Sequence, residues 1–224
     1  MTAAVAHPDR RLLVATFKLL VATARTMTWA PLLGALGLLA VTTVAWTRLD
    51  ATPSLIAAVV VVAFAATGCA ALGDPAHLLL ESVPTSRLVR LSCRVALAGA
   101  AIAVGLTVIA LFARLIAIVA RQNITTLGPS SIVVAETFAL FSFGVAVHSF
   151  IQPRTDRADE VAAVATFGWF VSPRMIPDRF NLDLITFAWR DRPWLVIVIA
   201  LVVTVVQQKE RRWRAGRKSF LIGP

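Results

Sequence analysis

Apolar runs of bilayer length, divided by short segments that hold the arginines, limit this chain to few folds. A helix that crosses a membrane needs about 20 apolar residues, each rising 1.5 Å. Met27–Trp46, Ser54–Leu72, Val95–Ala113 and Ser131–Ile151 meet that length. Val161–Ser172 and Pro193–Gln207 are shorter and apolar, and span only by recruiting their flanks or thinning the bilayer. Hydrophobic residues make up 58% of the 224 positions and charged residues 15%. A soluble domain has about 45–50% and about 25%, so both figures point to a membrane protein and exclude a disordered chain, a collagen and a disulfide scaffold. The expected fold is all-α: a polytopic integral membrane protein with six transmembrane helices and an N-terminal interfacial amphipathic helix.

Arginine and lysine placement sets the orientation. With six spans, one side holds Arg10, Arg11, Lys18, Arg25, Arg87, Arg90, Arg94, Arg154, Arg157 and the six basic residues of the tail. That side carries 15 of the 22 basic residues and is read as cytoplasmic, with both termini there. The chain then divides into a cytoplasmic arm (1–26), a membrane domain (27–207) and a basic tail (208–224). No cleavable leader is expected, because Lys18 and Arg25 break the first apolar stretch. In Arg10–Arg25, Leu12, Leu13, Phe17, Leu20 and Ala24 recur at helical spacing while Arg11, Lys18 and Arg25 lie elsewhere. This predicts a helix lying in the membrane interface. There is no tyrosine, so Trp29, Trp46, Trp189, Trp194 and Trp213 are the expected headgroup anchors. The net charge of +10 is assigned to lipid phosphates and topology, and no nucleic-acid partner is expected.

Motifs for chemistry are missing. No P-loop, no H-E-x-x-H and no G-x-S-x-G occurs. His7, His77 and His148 are scattered without metal-ligand spacing, and Cys69 and Cys93 read as free thiols. No catalytic, cofactor or metal site is expected. One acid lies inside a span: Glu136, near the outer end of the fourth run, at a depth similar to that of Arg114 in the third. A carboxylate there must be paired, protonated or wet. The two form either a structural ion pair or the lining of a substrate path. The outer segment 173–193 carries Pro173, Pro177 and Pro193 and reads as a re-entrant or interfacial element.

The segment 74–94 between the second and third runs is the most informative. Leu78, Leu79 and Leu80 sit on a short helical stretch, Pro84 must break it, and Thr85 or Ser86 can cap the next helix. The run Leu79-Leu80-Glu81-Ser82-Val83-Pro84-Thr85-Ser86-Arg87, with Arg94 beyond it, resembles the ABC-2 type transporter permease family. Members often show Leu-Leu-x-x-Pro-[Val/Thr]-Ser-Arg here, against Leu-Leu-x-x-x-Pro-Thr-Ser-Arg in this chain. Ala76-His77 and Cys93 depart from the family's usual Gly-Thr and glycine. The resemblance implies that Leu78, Leu79, Leu80, Glu81, Pro84 and Arg87 form a coupling segment. That segment would contact a separate cytoplasmic ATPase subunit. The resemblance also implies a second permease subunit, as homo- or heterodimer, and export across a bacterial inner membrane. The alternative from the residues alone is a membrane scaffold or assembly protein without transport.

Overall fold

The computed structural model describes residues 8–49, 53–73, 87–119, 131–152, 154–175 and 192–221. These form seven helices: α1 (Pro8–Thr26), α2 (Ala30–Leu49), α3 (Pro53–Ala70), α4 (Arg87–Val119), α5 (Ser131–Ile151), α6 (Ala158–Met175) and α7 (Pro193–Leu221). The described residues contain no strand. Each of the six apolar runs falls largely within one of α2 to α7, and the run at Ser131–Ile151 coincides with α5. Prolines mark helix starts: Pro53 opens α3, Pro193 opens α7 and Pro31 stands in the first turn of α2. A proline there lacks only an N–H that had no helical partner.

Two helices, over Val89–Leu115 and Ser131–Ile151, are long and apolar enough to cross a membrane. A third span results if Phe17–Thr26 and Ala30–Val41, bent by 73°, count as one. Shorter apolar helices cover Ala57–Ala70 and Pro193–Gln207. On α4, Arg94 and Arg114 lie about 30 Å apart along the axis, one hydrocarbon thickness. Between them Val104, Val108 and Leu111 are exposed, as are Val198, Val202 and Val205 on α7. In water such faces would aggregate; against lipid they are solvated.

α3 and α5 form the centre. α5 packs on α3, α6 and α7, while α3 also meets α2, α4 and α6. α4 lies against α1, α2 and α3 and barely touches α5. The core joins Leu39 of α2, Val61 and Phe64 of α3, Ile102 of α4 and Leu140 of α5, all essentially inaccessible. Buried hydroxyls turn back onto their own helices. Thr137 donates to Val133 O (2.7 Å), Ser149 to Val145 O (2.6 Å), Thr166 to Ala162 O (2.7 Å) and Thr204 to Ala200 O (2.8 Å). Each hydroxyl is thereby satisfied without water, which an apolar surrounding demands.

α1 does not run on into α2. Pro31 would place its ring against the carbonyl of Met27 in a continuous helix, so the chain turns at Met27–Trp29. The turn is held by Trp29, whose indole N–H donates to Ala24 O at 2.7 Å, and by the Met27 N–H on Thr23 O. Trp29, expected as a headgroup anchor, thus fixes the turn through its indole N–H. Trp169, outside the expected anchors, stacks at 52° on Phe143, centroids 4.3 Å apart, joining α6 to α5.

Candidate functional site: the joint at the end of α3

Leu78, Leu79, Leu80, Glu81 and Pro84 lie outside the described residues, as do His77 and the outer segment from 176 to 191. The described chain ends at Gly73 and resumes at Arg87, the first residue of α4. The site is thus built from the two anchor points of the segment and what surrounds them.

α3 ends in a tightened turn, with Ala71 N–H on Thr67 O and Leu72 N–H on Cys69 O, both at 3.0 Å. The carbonyls beyond have no partner within the helix and carry the negative end of its dipole. Arg94, two turns into α4 and 4% exposed, supplies what they lack. Its Nη1 donates to Leu72 O at 3.1 Å and also to Gly73 O. Its Nη2 reaches Thr26 Oγ1, at the α1–α2 turn, at 3.4 Å. One buried guanidinium therefore joins three elements. A lysine could not, because only the planar fork presents several donors in different directions.

α6 closes the joint. Asp159 and Glu160 occupy its first turn, where the helix dipole favours carboxylates. A side chain added at Gly73 would collide with the Asp159 carboxyl, 3.0 Å from its carbon. Glycine leaves room for the α6 carboxylate to come close to the backbone; any larger residue here would push the Asp159 side chain aside. The exposed Arg157–Glu160 pair, 4.0 Å apart, adds little. Arg154 lies over the Phe150 ring, 4.2 Å from its centroid, covering the end of α5. So α1, α3, α4 and α6 all meet at the point where the 74–86 segment departs.

Arg114 stands exposed near the end of α4 and Glu136 half-buried in the second turn of α5. The two helices meet only lightly, so similar depth alone does not make the two residues neighbours. Depth is legible in the sequence for both residues; rotation about either helix is not.

The buried Arg94 was legible only as a basic residue leading into a span. Its signal lies in the pairing of a glycine-ended helix with an arginine one turn or two inside the next. A second convergence lies in the interior and has no motif in the sequence. Cys69 of α3, Gly144 of α5 and Thr166 of α6 meet in the interior, with Cys69 Sγ 3.7 Å from Thr166 Oγ1 and 3.9 Å from Phe141 O. A Cβ at Gly144 would collide with Cys69 Sγ and lie 2.6 Å from Thr166 Oγ1. His148 is buried one turn further along α5. Among the described residues, no group of three His, Cys, Asp or Glu is placed to hold a metal ion.

The chain matches no family model, no curated protein and no solved structure. It is an all-helical protein whose apolar helices mark it as a membrane protein.

Proposed function

We propose that the chain is the transmembrane permease subunit of an ATP-binding-cassette exporter, driven by a separate cytoplasmic ATPase. In this reading α2 to α7 make six crossings of a bacterial inner membrane, α1 lies in the cytoplasmic interface and both termini are cytoplasmic. A second permease subunit completes the pathway. The chain itself carries no catalysis.

One observation carries the proposal. The segment that resembles a coupling helix leaves at a joint where four of the seven helices, α1, α3, α4 and α6, converge on Arg94 and Gly73. A push on such a segment is passed to most of the bundle at once, because packed interiors transmit displacement rather than absorb it. A passive scaffold needs no such convergence at a loop base.

The test is purification of the protein from its own membranes, followed by reconstitution. A co-eluting ATPase whose hydrolysis rises on reconstitution supports the reading. A protein that elutes with other membrane chains and no ATPase supports the scaffold alternative.

A further inference from the structure

The two sides of α1 differ in a way the sequence pattern did not separate. Thr23 and, just past the helix, Met27 are buried toward the bundle, with Leu19 and Leu20 half-buried beside them, and α1 packs on α4. On the opposite side, Val14, Phe17 and Val21 are 49%, 67% and 36% exposed. Lys18 and Arg25 stand exposed on that same side, at i+4 from Val14 and from Val21. Among the described residues neither cation meets a carboxylate. Leu20, expected on the same apolar face as Phe17, turns inward instead.

We infer that this outer face of α1 is a docking surface for anionic phospholipid. The inference rests on the membrane placement proposed above but not on transport. Charge and geometry identify the occupant. α1 turns by 73° from α2, so if α2 crosses the bilayer, α1 lies near its plane. Phe17, Val14 and Val21 then enter the acyl boundary while Lys18 and Arg25 reach headgroup phosphates from stems that cover the same apolar surface. An uncharged lipid satisfies the apolar stripe and leaves the cations without counter-charge. An anionic surface satisfies both. Because Thr26 ends α1 and touches Arg94, lipid that seats α1 also seats the α3–α4 joint. Anionic lipid is thus an input to the coupling segment.

The experiment is hydrogen exchange of the full chain in nanodiscs of phosphatidylcholine alone, or with a third of it replaced by phosphatidylglycerol. Amides over Val14–Val21 should exchange up to about thirtyfold more slowly in the anionic discs, as expected for two surface cations at about 1 kcal/mol each. Lys18→Gln with Arg25→Gln should abolish that difference, while Phe17→Ser should speed exchange in both lipids. Equal exchange in the two lipids, or slowing that persists in the double variant, overturns the inference. Slowing that needs an added ATPase and ignores lipid assigns the face to protein and also overturns it. None of these readouts depends on ATP hydrolysis, so the inference can fail while the permease reading stands.

Discussion

The interior crossing of α3, α5 and α6 and the joint at the end of α3 both depend on a glycine, yet they are built by opposite physics. At the crossing, Gly144 lets helices approach until Cys69 and Thr166 fill the space a side chain would take, and no charge is involved. At the joint, Gly73 makes room for a carboxylate on one side while a buried guanidinium grips the backbone on the other. Close packing of small residues is short-ranged and resists any change of volume. A charge-assisted clamp is directional and can be released and remade. In the proposed permease the crossing would serve as a fixed pillar and the joint as the place where movement is passed on.

The largest effect should come from the pillar. Gly144→Val gains only about 0.3 kcal/mol of helix propensity but overpacks three helices, at a cost of more than about 3 kcal/mol. Thermal unfolding in detergent should show a net loss, and Gly144→Ala should show a milder one. Adding Cys69→Ala to Gly144→Ala should recover part of it, because the sulfur is the nearest obstacle. No recovery would mean the crossing is looser than described.

Arg94→Met should come next. It leaves the Leu72 and Gly73 carbonyls without their charged donor, a loss of roughly 2–3 kcal/mol. Arg94→Lys should restore only part, since an ammonium cannot reach both carbonyls and Thr26. Protease cleavage between Gly73 and Arg87 should rise in Arg94→Met and stay unchanged in Gly144→Ala. Equal cleavage in both variants would erase the distinction between pillar and joint.

The smallest effect should be the coupling between Arg114 and Glu136. In a double-mutant cycle of Arg114→Gln and Glu136→Gln, losses should add to within about 0.5 kcal/mol, as for residues with no shared contact. A larger interaction would show that α4 and α5 approach each other more closely than they do here.

Much of the helical layout was legible. Runs of apolar residues locate α2 to α7 because a helix in lipid needs length and apolarity more than any fine pattern. The turn between α1 and α2 was foreshadowed by Arg25 and the apolar onset at Met27, and Pro31 gives its mechanical cause. What could not be read was rotation about each axis. α3 and α5 are apolar all round, so nothing in their sequence tells which face meets a partner. This is why the Arg114–Glu136 pairing rested on depth alone and why the Cys69–Gly144–Thr166 crossing went unseen. Arg94 was visible as a cation near a membrane entrance. Its burial was not, because a helix-end carbonyl that needs a donor leaves no mark in the residue types around it.

In the proposed permease the segment between Gly73 and Arg87 would take force from an ATPase and deliver it to the joint. The most direct test is co-purification of the ATPase with Leu79→Asp and, as a control, Arg87→Ala, at equal expression of the permease. Burial of one leucine at a contact contributes roughly 1.5–3 kcal/mol, whereas a rim charge contributes about 1 kcal/mol or less. The account predicts that Leu79→Asp loses most of the ATPase, at least tenfold, as a loss of roughly 1.4 kcal/mol or more requires, while Arg87→Ala keeps most of it. Retention of the ATPase and of its coupled hydrolysis in Leu79→Asp, Leu80→Asp and Pro84→Gly alike would contradict the account.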